Sequence, residues 1–281
     1  MGVRRWPPPL TVTTMFQYIA VGTHCLFLNY SLLCNIMRVD AMMDKPPRLV
    51  AIETSSRIGE VAVARGPEVL GQRQFSKAMR HAVELMPAIR DLTQAQGWKP
   101  SDIDAVYVSA GPGSFTGIRI AITIARALQQ AIGCQLVGVP TVDVLAANAP
   151  PEVEHLAVIM DAKRGQIYAA GYQRDVKSTE LRRTSGPLPT TPADFLAQAP
   201  RPLHILGEGI DYHRPVIAAA HGVIIELDKS LWQPRAVMVH QIGLALARAG
   251  VFTPLNDLLP IYLRKAEAEE VWEKKHTIKS G

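Results

Sequence analysis

From Arg48 onward the chain alternates short apolar runs with longer stretches whose apolar residues recur at helical spacing. Arg48–Ile52 has the length of a buried strand and ends at Glu53-Thr54-Ser55-Ser56. Ile58–Ala64 alternates as a second strand, and Arg65-Gly66-Pro67 turns into a third over Val69–Phe75. Ala78–Gln96 carries a helical pattern closed by Gly97, with Val83, Met86, Ile89 and Leu92 on an i, i+3, i+6 face and Leu85 beside them. Pro87 lies inside it and predicts a kink, since proline removes one backbone bond and crowds the preceding turn. Ala105–Ala110 reads as a fourth strand, Thr116–Ile132 as a long helix and Gln135–Val139 as a fifth strand. Thr141 opens a short helix that ends before Pro150-Pro151.

The same order then recurs. Leu156–Met160 is a strand ending in Asp161, followed by a turn at Arg164-Gly165 and strands over Gln166–Gln173 and Val176–Arg183. Ala193–Ala199, Asp211–Ala220 and Arg235–Ala249 read as helices, interleaved with strands at Leu203–Leu206 and Val223–Ile225. The expectation is an α/β chain reading βββαβαβα twice, with lobes over 47–150 and 151–281 and mixed or parallel sheets covered by helices. The acids repeat as well: Leu49-Val-Ala-Ile-Glu53 and Ala157-Val-Ile-Met-Asp161 each lead into a turn and a glycine. In a cleft between duplicated lobes, Glu53 and Asp161 would hold a hydrated metal or a phosphate-bound cation. Equally, acids at strand ends face solvent or cap their own turns.

Between the fourth strand and its helix lies Gly111-Pro-Gly-Ser-Phe-Thr-Gly-Ile-Arg-Ile120. Three glycines in seven residues mark a turn, and Ser114 or Thr116 suits the cap of the helix that follows. Such a turn presents N–H groups that favour an anion. Gly111, Gly113, Ser114, Thr116 and Arg119, with Glu53, Thr54, Ser55 and Asp161, are therefore the candidate nucleotide- or anion-binding residues. The turn is not a P-loop, because Ile118 and Arg119 stand where Lys and Ser/Thr would be needed. The other reading is a close-packed connection that holds no ligand.

Composition narrows the class. Apolar residues make up 48% of the 281, enough for a core, and 20% charged residues exclude wholesale disorder. A net charge of +5 is compatible with an acidic or RNA-containing partner. Cys25, Cys34 and Cys134 form no paired framework, which points to a reducing, cytoplasmic setting and against a thiolate metal site. His155, His204, His213, His221 and His240 show no ligand spacing, so no metal-binding residues are assigned. Leu10–Met37 carries no formal charge, but Gln17, His24, Asn29 and Asn35 dilute it, and no membrane span is expected. Residues 1–46 are expected to be an extension from a misplaced start, with Met37, Met42 and Met43 as alternative starts.

Leu49-Val-Ala-Ile-Glu-Thr-Ser55, His81-Ala-Val-Glu-Leu-Met-Pro87, the Gly111–Ile120 turn, Asp161-Ala-Lys-Arg-Gly165 and Pro260-Ile-Tyr-Leu-Arg264 followed by Ala266-Glu267 together resemble the TsaB family. The resemblance covers about Leu49 to Glu270 and implies two ribonuclease-H-like lobes of the acetate kinase, sugar kinase, heat-shock-protein and actin type. It also implies a role in forming N6-threonylcarbamoyladenosine at position 37 of tRNAs that read codons beginning with A. The implied partners are a TsaD-like transferase as heterodimer, a TsaE-like ATPase, and a TsaC-type synthase supplying threonylcarbamoyl-adenylate. Contact with tRNA would come through the complex, and the chain alone would form a homodimer. The resemblance fixes no cofactor for this chain and leaves open ATP or ADP bound at the complex with TsaD.

TsaD relatives carry two histidines four apart on the first helix; here His81 is followed at that spacing by Leu85, so one ligand is missing. The turn at Glu53-Thr54-Ser55 lacks a glycine-rich hairpin, and Gly207-Glu-Gly209 is shorter than an adenosine-binding stretch. The expected role is a non-catalytic scaffold, with a small-molecule kinase or ATPase and a metallopeptidase as alternatives. In the family the first-lobe helices pack on the partner as a bundle. The candidate interface residues are then His81, Leu85, Ile89, Arg119, Thr123 and Ala127. Ala121, Thr123, Ala125, Ala127 and Ala131 permit close helix approach; burial within the same lobe is the other reading of that pattern.

Overall fold

The computed structural model describes residues 45–175 and 180–262. The expectations for residues 1–44, for the start of the Val176–Arg183 strand and for the family motif beyond Tyr262 lie outside the described residues. The first sheet comprises β1 (Arg48–Glu53), β2 (Glu60–Arg65), β3 (Glu68–Gln74), β4 (Ala105–Gly111) and β5 (Gln135–Pro140), in the order β3-β2-β1-β4-β5. Strand β2 runs antiparallel to β1 and β3, while β4 and β5 run parallel to β1. The second comprises β6 (His155–Asp161), β7 (Ile167–Arg174), β8 (Leu181–Thr190), β9 (Leu203–Leu206) and β10 (Ile224–Glu226), in the order β8-β7-β6-β9-β10. Its directions copy those of the first. These are two mixed five-stranded α/β lobes with the duplicated order the sequence predicts.

Alternation along the strands decides which helix covers which face. Val50 and Ile52 of β1 join the core under α1 (His81–Ala95) and α2 (Phe115–Ile132). Short α3 (Thr141–Ala146) leads into the second lobe, where α4 (Pro192–Gln198) and α5 (Gly209–Ala218) contact each other. The opposite face of the first sheet, with Leu49, Ala51, Tyr107 and Val139, is covered by α6 (Ala236–Arg248). The sequence reading places this last helix in the second lobe; the structure returns it to the first. The face it covers is apolar, and the six residues of α3 are too few to shield it. A Cβ at Gly243 of α6 would come within 2.5 Å of the Tyr107 ring, so glycine is what allows this close contact.

Two further expectations change. On α1, Leu85, Ala88 and Ile89 are buried, whereas Val83 and Met86 are 60% and 44% exposed. Steps of three residues lag a helical turn by about 60°, so the run Val83-Met86-Ile89-Leu92 winds around roughly half the helix. It therefore does not stay on one face. The helix continues unbroken through exposed Pro87. Strand β8 runs on to Thr190 through Gly186-Pro187, where the sequence reading ends it at Arg183. It is an edge strand, and an edge tolerates a residue with no N–H to donate.

Candidate functional site

The glycine turn is a junction of three chain segments. Ser114 caps α2, its Oγ accepting from Gly117 N–H at 3.3 Å, and Gly133 closes the helix with φ of 72°. The loop after β1 presses against the turn: Ser114 N–H donates to Ser55 O at 2.7 Å, and Thr54 Oγ1 donates to Gly117 O at 2.8 Å. A Cβ at Gly113 or Gly117 would run into the backbone carbonyl oxygens of Ser55 and Thr54 respectively. From the other side Ile261 N–H donates to Ala110 O at 2.7 Å. Tyr262 then stacks on Phe115, with centroids 5.1 Å apart. The glycine turn and the start of the C-terminal motif, separated by about 150 residues of sequence, thus meet directly.

This packing decides what the candidate anion residues can do. The amides of Ser114 and Gly117 are already committed inside the chain. Glu53, Thr54 and Ser55 are buried, at 0%, 0% and 3% exposure, so they do not face a ligand in this structure. Glu53 Oε1 accepts from both the N–H and the Oγ of Ser55 at 2.5 Å. Asp161 mirrors it: its Oδ1 accepts from Lys163 N–H at 3.0 Å, and its Oδ2 pairs with Lys163 Nζ at 2.6 Å. Each strand-end acid closes its own turn two residues on, which is the structural of the two sequence readings. Of the nine anion candidates, Gly113, Thr116 and Arg119 are exposed, and only Arg119 brings a charge that suits an anion.

Burial raises the Glu53 pKa above its ordinary 4.5, with the Ser55 hydrogen bonds opposing the shift. The folded chain therefore holds this proton more tightly than the unfolded chain. Its contribution to stability is present below pH 4.5 and is lost as pH rises through the raised folded value. Glu53→Gln removes that dependence. The melting temperature of the variant relative to wild type is expected to improve as pH rises from about 5 to 8; a difference constant with pH overturns this assignment.

His81 is 2% exposed and packs 5.8 Å from the Phe75 ring, and burial lowers its pKa. Leu85 and Ile89, at 0% and 3%, lie in the same core. These three are unavailable to a partner here, because they point toward the sheet. Among the described residues no group of three His, Cys, Asp or Glu side chains is placed to hold a metal ion. Nor is any described helix long and apolar enough to cross a membrane.

What the two first-lobe helices expose includes several large apolar side chains among the ion pairs Arg80–Glu84 and Arg90–Asp91. Met79, Val83, Met86 and Phe115 are between 43% and 60% exposed, and Thr123 and Ala127 of α2 are exposed as well. Helices α1 and α2 pack side by side, with Ile120, Ile124 and Leu128 half-buried. Sequence periodicity places Val83 and Met86 inside and does not single out Phe115 or Tyr262. The available signal lay in α2, whose apolar residues run almost all around the helix, more than one buried face needs.

A model of the tRNA N6-adenosine threonylcarbamoyltransferase family, TsaD, matches residues 68–217. The tRNA threonylcarbamoyladenosine biosynthesis protein TsaB of Bacillus subtilis is 30% identical over 228 residues, which is 80% of this chain and 97% of that protein. The Escherichia coli TsaB is 33% identical over 131 residues, covering 46% of this chain and 56% of its own. Among solved structures, YeaZ from Pseudomonas aeruginosa superposes with a TM-score of 0.65 at 27% identity, across 77% of this chain and all of that one. With the duplicated lobes and the glycine turn already in place, these matches assign the chain: it belongs to the TsaB family of tRNA threonylcarbamoyladenosine biosynthesis proteins.

Proposed function

We propose that this chain is the non-catalytic partner of a TsaD-type transferase in forming N6-threonylcarbamoyladenosine on tRNA, with a TsaE-type ATPase and a TsaC-type synthase in the same pathway. The observation that carries the proposal is the exposed face at α1 and α2, where Val83 and Met86 of α1, and Met79 just before it, are exposed with no described element over them. An apolar patch of this kind marks a protein contact. The strand-end acids support the same reading: Glu53 is spent inside the lobe and Asp161 is neutralised by Lys163. TsaB alone would use the same face to pair with a second copy.

The test is deletion of the gene followed by mass analysis of tRNA nucleosides. The modification is expected to disappear and to return with the full chain. The purified chain alone is expected to transfer no threonylcarbamoyl group to tRNA, while addition of the TsaD-type subunit restores transfer. Persistence of the modification after deletion, or transfer by the isolated chain, rejects the proposal.

A further inference from the structure

We infer that Arg119, held in place by Phe115 and Tyr262, is the anchor for a carboxylate of the protein partner, and that Leu259–Tyr262 is the segment that positions it. This rests on the partner reading above and adds the chemistry of one contact.

Arg119 stands where a cation is electrostatically disfavoured. It lies in the opening turns of α2, whose first turn holds no acid, at the positive end of the helix dipole. Several other surface arginines have a carboxylate: Arg73 pairs with Asp91 at 2.8 Å, Arg80 with Glu84 at 3.0 Å and Arg214 with Glu226 at 2.9 Å. Among the described residues Arg119 has none, and its neighbour is aromatic, the guanidinium sitting 4.8 Å from the Phe115 ring centroid. Contact with a ring restrains the guanidinium while leaving donors free for a forked bond to a carboxylate. A helix N-terminus and an unpaired guanidinium both attract that group.

The aromatic support is itself anchored. Phe115 and Tyr262 stack at 5.1 Å with planes 26° apart, and both are close to half exposed. Tyr262 is brought there by its neighbour, since Ile261 N–H is bonded to Ala110 O at 2.7 Å. A Cβ at Gly111 would come within 3.1 Å of Ile261 O, so a side chain there would press the segment away from the turn. Arg119 shares α2 with exposed Thr123 and Ala127, and neighbouring α1 exposes Val83 and Met86. Apolar side chains interspersed with the exposed Arg80–Glu84 and Arg90–Asp91 pairs match the rim of a protein interface, with a carboxylate at its edge, better than they match a phosphate backbone.

The test is calorimetric titration of the full chain with the TsaD-type subunit at low and high salt. Arg119→Met is expected to weaken binding about tenfold to a hundredfold and to flatten its salt dependence. Arg119→Lys should recover only part of the loss, because the fork is gone. Tyr262→Ala is expected to cost about threefold to tenfold and Tyr262→Phe nothing, since only the stack is needed. The double variant Arg119→Met, Tyr262→Ala should bind no worse than Arg119→Met alone; additive losses overturn the positioning role. If Arg119→Met binds like wild type while Val83→Glu with Met86→Glu abolishes binding, the anchor is wrong and the partner reading stands. If neither change affects binding, this face is not the contact and the anchor falls with it; if the wild-type chain itself does not bind the TsaD-type subunit, the partner reading fails. Loss of tRNA retention on a filter by Arg119→Met, with protein binding intact, would assign Arg119 to phosphate and overturn the carboxylate.

Discussion

A variant carrying Val83→Glu and Met86→Glu is expected to lose the TsaD-type subunit on co-purification, its affinity falling by at least about a hundredfold, while its melting temperature stays within about 2 °C of wild type. The two halves of this expectation have separate causes. Both side chains are exposed on α1, so no core contact is removed, and Glu is a better helix former than Val. At an interface, each unpaired carboxylate would have to leave water without a partner, costing several kcal/mol, and about 2.7 kcal/mol already corresponds to a hundredfold. Val83→Ala with Met86→Ala removes area without adding charge and should weaken binding far less. Full retention of the TsaD-type subunit by the glutamate variant would reject this face as the contact.

The second large effect concerns folding. Gly117→Ala is expected to lower the melting temperature by roughly 6–12 °C, as about 3 kcal/mol does in a chain of this size. Gly117 lies inside α2, where alanine normally stabilises, so helix propensity alone predicts the opposite sign. The added methyl would meet the Thr54 carbonyl oxygen and lie 3.2 Å from the His81 ring, and the backbone oxygen cannot rotate away. Gly133→Ala is the contrast: it sits at φ of 72° with open space around it, so only the left-handed backbone resists, at about 1 kcal/mol. Equal melting temperatures for the two variants would sink the steric account.

Local pattern made most elements legible. The apolar run over β4, the glycine turn, the span of α2 and the four residues of β9 follow from strand length, turn chemistry and capping, and all fall within one or two residues of the structure. The duplicated strand order was readable because each lobe repeats the same sequence of runs. Helix faces were harder: Val83 and Ile89 differ little in hydrophobicity, and only the sheet beneath α1 decides which one turns inward. The interior role of Glu53 was also hidden: its partner Ser55 is only two residues away, but its full burial depends on packing against elements distant in sequence. The contact of Tyr262 with Phe115 spans most of the described sequence, which no periodicity can report. Family resemblance supplied the family; the structure separated the candidate residues that are exposed from those that are buried.

The return of α6 to the first sheet has a consequence for the order in which this protein is made. Synthesis proceeds from the N-terminus, and among the described elements the face of β1, β2, β4 and β5 bearing Leu49, Ala51, Tyr107 and Val139 has only short α3 over it, with Val144 in its core, until Ala236–Arg248 has followed. The second lobe, including its own sheet, is complete before the first can close. Ala236 N–H then donates to buried Glu60 Oε2 at 2.8 Å, tying the start of the late helix to an early strand. A nascent chain halted at the Pro150-Pro151 joint would therefore carry one finished face and one sticky one, which makes it a client for chaperones and not a free-standing domain.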